Sequence, residues 1–509
     1  MSDKPHAELL NSEISSDFQK DLAKLRTILY YPENDEVIFR EILGCGFDIC
    51  AVFIDGMANA DQVSDFIIKA SQLSEETPPP EARAEHLMKH AFEVAQVSTE
   101  KCFSELVKMI LSGMTVVLAE GLDTAIAMDT RGFERRKVDQ ANKERVVMGS
   151  QEGFVEDLRA NLTLLHRYVQ TPELMCEKVT VGTKIPLRIA IVHIKGVTNK
   201  TALEKVKKRI RLVDTDVVHG IGELQQLIED SPWSVMPQML MTERPDRAAA
   251  ALVDGQFAIL ADASPYALIA PCSIFTLMQA PDDAFSRWQY GSYSRVIRYL
   301  GLIFSLLLPG LYVALTMYHT HLIPMALLTA IAETRSNVPF PILFEIGAME
   351  LSFFLINEAN MRIPSQIGSF IGIIGALVLG QAAVEASLVS PILIILIAVS
   401  GLGCYAMPDY SVSVALILYR LTLVVAGATM GIYGIILVLF LMLCQLCHMR
   451  SFGMHYFAPV APHAPHNPDI LLRLPIFMQK IPLFLIPRRS WLRKGGTKSN
   501  KSKKGRPMA

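Results

Sequence analysis

The polar and apolar positions of this chain divide it between two solvents. Through roughly the first 290 residues, short apolar runs alternate with charged, helix-patterned stretches, as in a water-soluble α/β protein. Beyond them charge nearly vanishes. No Asp, Glu, Lys or Arg lies between Arg298 and Glu333, and between Arg362 and Arg450 only Glu385, Asp409 and Arg420 are charged. Such stretches cannot be solvated surface. A helical crossing of a bilayer takes about 20 apolar residues, so the second half has room for several.

Within the first half one grammar occurs twice. ICAVFIDGMANADQVSDFIIKA is an apolar strand that turns at Gly56 into a helical pattern, and LRIAIVHIKGVTNKTALEKVKKRI repeats this with its turn at Gly196. Each is followed by a β-hairpin pattern, SGMTVVLAEGLDTAIAMDTRG and VDGQFAILADASPYALIAPCS. Gly56 to Gly196 is an offset of 140 and Gly113 to Gly255 one of 142, which predicts an internal duplication. Each copy reads as strand, helix, further helix and hairpin, with helices on one face of the sheet. The expected organisation is a polar, helical extension over 1–40, a first α/β unit over 41–150, a connecting helix within 151–180 and a second unit over 181–290. A transmembrane domain over 291–450 and a Pro-rich, then basic, tail over 451–509 complete it.

In the membrane half, the stretch from Tyr299 to Tyr318 reads as a crossing kinked at Pro309, and Leu322 to Ala332 as a piece too short to cross. The helix from Ile342 carries Glu345 and Glu350, with Glu358 and Arg362 beyond; a carboxylate costs about 3 kcal/mol at the middle of a lipid-facing helix, so these groups should face protein, water or the interface. Gln366 to Glu385 holds Gly368, Gly372, Gly375 and Gly380, small residues that let another helix approach closely. Pro391 to Cys404 is a short crossing, and Val412 to His448, cut by Gly427, Gly431 and Gly434, leaves room for two. Arg420 falls near the middle of the first of these, with Glu385, Glu345 and Glu350 as its natural partners, either as a structural salt bridge or as a charge at an ion path.

Overall composition, 51% hydrophobic, 19% charged and a net charge of −2, averages two unlike halves and gives no reason to expect a nucleic-acid partner. Eight scattered cysteines suggest no disulfide framework. The polar N-terminus lacks a signal-peptide pattern. Arg287, Arg295 and Arg298 before the first crossing, and the acid-free run from Arg488 to Arg506, place both flanks on the cytoplasmic side, hence four or six crossings. Chemistry is thin. Asp55 ends a strand before a glycine, but the matching position of the second copy is Lys195; His463 with His466, and the Cys444–Cys447 spacing, lack the companions a metal or redox site needs. No catalytic residue, cofactor or metal is expected.

Four segments, EGFVEDLRANLTLL, DGQFAILADASPYALIAP, MRIPSQIGSFIGIIGALVLGQAAVEASLVSP and SFGMHYFAPVAP, occur in the order found in the A subunits of GerA-type spore germinant receptors. The likeness runs from about Cys50 to Pro487, and the third segment is the most specific; the chain departs at LHRYV, where the family is usually Arg-rich, and at Asn357 before Glu358. The resemblance implies a nutrient-sensor subunit of the spore inner membrane. It also implies partnership with a transporter-like B subunit and a lipoprotein C subunit, self-assembly into an oligomer, and ion release when nutrient binds. On this reading the Gly-rich helix frames a passage, with Ile371, Ile374 and Val378 as an apolar constriction. A secondary transporter, or a scaffold anchoring a soluble signalling domain, are the alternatives.

Overall fold

The computed structural model describes residues 8–73, 78–79, 82–132, 144, 146, 148–362, 380–462 and 472–475, and for 360–362 the backbone alone. The described residues form two compact units, one holding those up to Glu229 with Met241–Pro271, the other Asp230–Leu240 with those from Cys272 onward.

The first unit is built on two five-stranded sheets. Helix α1 (Phe18–Ile28) is capped by Asp17, whose side chain accepts from the Lys20 N–H, and buries Phe18, Leu22, Leu25 and Ile28 at helical spacing. Strands β1 (Val37–Gly44) and β2 (Phe47–Ile54) follow, then helical runs over 60–73 and 83–91, β3 (Val97–Glu100), α2 (Phe103–Leu111), β4 (Thr115–Ala119) and β5 (Ala125–Met128). The second copy runs α3 (Leu158–Tyr168), β6 (Leu174–Val181), β7 (Leu187–Ile194), α4 (Lys200–Leu212), α5 (Ile221–Ile228), β8 (Leu240–Thr242), α6 (Pro245–Val253), β9 (Phe257–Ala261) and β10 (Ala267–Ala270). Strand order is β1-β2-β4-β5-β3 in one sheet and β6-β7-β9-β10-β8 in the other, the same topology twice.

The repeat starts one helix earlier than the sequence reading set it. Phe18 to Leu158 and Ile28 to Tyr168 are both offsets of 140, so the "connecting" helix α3 opens the second copy as α1 opens the first. The caps repeat as well: Asp17 and Asp157 cap α1 and α3, and Asn59 and Asn199 cap the helices after β2 and β7. Helices also cover both faces of the first sheet, not one. Cys50, Val52, Ile54, Val116 and Leu118 pack with α1 and α2, while Ile49, Ala51, Phe53, Val117 and Ala119 pack with Val63, Ile67, Leu87 and Ala91. Two-sided burial explains why these strands are unbroken apolar runs.

The two copies are pinned by reciprocal contacts. Asp55, at the end of β2, pairs with Arg159 at 2.8 Å and Lys178 at 3.3 Å in the second copy; Lys195, its counterpart 140 residues on, pairs with Glu33 in the first. Glu36 and His166 meet at 2.6 Å, both buried, and Asn34 donates to the Leu174 carbonyl. Gly56 turns with φ of +85° where a Cβ would sit 2.7 Å from the Thr163 hydroxyl, so this junction requires glycine.

The second unit is helical: α7 (Trp288–Met317), α8 (Met325–Arg335), α9 (Ile342–Arg362), α10 (Pro391–Tyr405) and α11 (Tyr410–His448). Helices α7 and α11 are long and apolar enough to cross a membrane. Within α11, Gly431 leaves helical geometry (φ 61°, ψ −143°), and Tyr419 Oη lies 3.2 Å from Gln445 Oε1. Twenty-six residues of straight helix would hold those groups about 39 Å apart, so α11 is a hairpin of two arms.

Candidate functional site

The helical unit buries several of its charges and shows many apolar side chains. Contacts order its helices. Gly310 of α7 meets Leu423, and Tyr318 meets Ala428, so the first arm of α11 runs parallel to α7. Gly403 meets Gly301 and Ser400 donates to the Ser305 carbonyl, so α10 runs the other way. Helix α9 runs with α10, because Glu345 near its start accepts from the Ser390 N–H at the cap of α10, and Phe353 reaches Gly401 and Tyr405.

The backbones come together through glycines. A Cβ on Gly403 would lie 2.3 Å from the Gly301 oxygen, and one on Gly427 2.6 Å from the Gly310 oxygen. These close approaches hold α7 against α10 and α11. They involve different glycines from those singled out in sequence: Gly368, Gly372 and Gly375 lie outside the described residues, and among the described residues nothing lies within 4 Å of where a Cβ on Gly380 would sit.

Two ion pairs, each with one buried member and one half-buried member, cross the unit. Arg420 donates to Glu350 at 2.6 Å and to the Ser400 hydroxyl at 2.8 Å, and the Ser400 hydroxyl in turn donates to the Ser305 carbonyl at 2.9 Å. One chain of bonds therefore ties α11, α9, α10 and α7. At the other end Glu345, 2% exposed, takes Arg335 of α8 at 3.1 Å and the Ser390 N–H at 3.2 Å. Each guanidinium has a carboxylate in reach. Of the three partners considered for Arg420, the structure selects Glu350; Glu385 is exposed, Glu358 is half-buried, and the Arg362 side chain is not among those described. Sequence reasoning passed over Arg335, Ser390 and Ser400, whose only signal was their rarity in an apolar half.

At the start of α7 a third cluster forms, with Asp283 taking both Arg298 nitrogens at 2.7 and 2.8 Å and Arg295 at 3.1 Å, all buried. Two of the three arginines used to orient the first crossing are thus held on a carboxylate, while Arg287 is exposed. Ile371, Ile374 and Val378 lie outside the described residues. Their flanks do not. Helix α9 carries the chain from Glu345, beside Ser390, to Arg362 at the end of the unit where α7 begins, and Ala383 and Val389 pack back against Tyr312, Val313 and Ile346 at the opposite end.

In the α/β unit, His193 and Cys50 are buried and Asp55 is paired. Burial, then Lys207 and Lys195, pushes the His193 imidazole down to about 4, and burial pushes the Cys50 thiol up to about 12, so both stay neutral near pH 7. Asp55, the one strand-end carboxylate of interest, is spent on the ion pairs between copies. Among the described residues no group of three or more His, Cys, Asp or Glu side chains is placed to hold a metal ion.

A duplicated α/β unit followed by apolar-faced helices with internal ion pairs is the build of a membrane-associated protein with a large water-facing portion. Residues 23–482 match the family model described as Bacillus/Clostridium GerA spore germination protein, and the chain belongs to that family. Spore germination protein B1 of Bacillus subtilis (strain 168) is 33% identical over 92% of this chain and 97% of its own length. Spore germination protein GerLA of Bacillus cereus is 35% identical over 88% of this chain and 91% of its own. The crystal structure of the N-terminal domain of the A subunit of the Bacillus megaterium spore germinant receptor GerK3 aligns with 51% of this chain and 97% of its own, at 20% identity and a TM-score of 0.39.

Proposed function

We propose that this chain is the channel-forming A subunit of a nutrient-gated germinant receptor in the spore inner membrane, with no enzymatic role. The observation that carries this reading is the placement of the two flanks of the Gly-rich segment. The 17 residue steps from Glu345 to Arg362 rise about 25 Å along α9, so the described residues that flank the Gly-rich segment lie at opposite ends of the helical unit. A segment joining such ends is the right length for a crossing, which brings the count to six: α7, α9, the Gly-rich segment, α10 and the two arms of α11. The paired state of Glu345, Glu350 and Arg420 favours the structural reading of these charges and leaves conduction to a passage between copies of the chain.

In this account identical subunits bring their Gly-rich helices together, with Ile371, Ile374 and Val378 as the constriction that stays dry when closed. The α/β units hold the ring and respond to nutrient through the transporter-like B subunit and the lipoprotein C subunit, nutrient binding favouring one of two subunit arrangements. Replacing Val378 or Ile374 by Thr is expected to let ions leak without nutrient, measured as cation efflux from liposomes holding the purified chain or from dormant spores at normal protein level. Unchanged retention overturns the pore assignment, and flux that saturates with a solute favours a transporter.

A further inference from the structure

The loop at Asp230–Leu240, part of the helical unit, presents one side chain almost wholly to its surroundings: Trp233 is 98% exposed. The loop beneath it is held by side-chain hydrogen bonds. Gln238 closes it by accepting from the Ser231 N–H at 2.9 Å and donating to the Ser231 carbonyl at 2.7 Å. Ser451 donates to the Gln238 carbonyl at 2.7 Å, Tyr456 to the Pro237 carbonyl at 2.8 Å, and Ser234 lies 3.3 Å from Met449 Sδ. Met449 is the residue that closes α11. Trp233 is therefore one residue from a group touching the end of α11, at the end of the helical unit where α7 starts. Trp288, Tyr290 and Tyr293 of α7 are exposed at that same end.

A fully exposed indole on a preorganised loop wastes apolar surface in water. At a bilayer boundary the ring buries its body among acyl chain roots and keeps its N–H among the headgroups. We propose that Trp233 is an interfacial anchor that seats the Asp230–Leu240 loop in the lipid headgroup zone. Together with the aromatic start of α7 it fixes the depth of the helical unit; this rests on the membrane reading above.

The test uses the full chain in phosphatidylcholine vesicles, with Trp288→Phe and Trp491→Phe leaving Trp233 as the only tryptophan of three. Lipid brominated high on the acyl chain is expected to quench its emission strongly, lipid brominated near the chain end weakly, with an emission maximum to the blue of an indole in water. Quenching by aqueous iodide with none by brominated lipid overturns the proposal, as does protection from both, which places a protein partner over the ring. A companion chain carrying Trp233→Phe and Leu437→Trp, on the second arm of α11, must be quenched by the deep bromines; if it is not, the membrane reading itself has failed.

Discussion

The two units solve opposite solvent problems with the same chemistry. In the α/β unit Ile, Val and Phe fill both faces of the sheets, and most ion pairs, such as Lys69 with Asp65 and Lys89 with Glu85, stay exposed. In the helical unit Leu402, Tyr433 and Phe440 point outward while Glu345, Arg420 and Asp283 are buried and paired. Exposed pairs contribute about 0–1 kcal/mol, whereas breaking a buried pair strands a charge in a poor solvent. The comparison predicts that single charge deletions matter far more in the second unit.

Arg420→Ala is the sharpest way to break that comparison. It leaves the half-buried Glu350 carboxylate without its partner and is expected to cost about 3 kcal/mol, read as a lowered midpoint in thermal unfolding of the detergent-solubilised chain. Adding Glu350→Gln is expected to recover much of the loss. A response no larger than that of an exposed pair would contradict the inverted arrangement.

In the α/β unit the comparable effect comes from a neutral group. His193 holds its imidazole down to about 4 in the folded state against 6.5 for the free side chain. Between those values the unfolded chain binds the extra proton, so stability is complete above about pH 6.5 and falls as pH drops toward 4, by up to about 3 kcal/mol. His193→Phe is expected to flatten that dependence, measured as the unfolding midpoint across this range.

Gly403→Val sharpens the helical side of the comparison with a smaller effect. The added side chain meets the Gly301 oxygen at a distance no neighbour tolerates, and pushing α7 from α10 is expected to cost about 1–3 kcal/mol without touching any charge. The same thermal scan reads it.

Much of the fold was legible because its signals are local. The period-two runs around Gly121 and the small residues after Leu260 gave both hairpins, and Gly431 marked the break in α11. The edge strands were lost for a physical reason. In β1, Arg40 and Glu41 interrupt the apolar pattern because an edge shows part of itself to water, and β3 and β8 are four and three residues long. The duplication was visible at its glycines, while its opening helices, with unlike sequences between equivalent Asp caps, needed the coordinates. At the membrane site, sequence showed that Arg420 must have a partner. Choosing Glu350 over Glu345 and Glu385 required knowing that α9 runs alongside α10 and that Glu345 is already taken by Arg335.

The central claim is that copies of this chain meet at the Gly-rich segment around a common passage. Its most direct test is a chain with the exposed Cys444 and Cys447 replaced by Ser and Val378→Cys introduced, oxidised in native membranes and run without reductant. The account predicts cross-linked chains that disappear on reduction, and less reaction with a lipid-phase thiol label than at a cysteine placed on the outward face of α11. A residue 378 thiol that labels from the lipid and never joins two chains would contradict it.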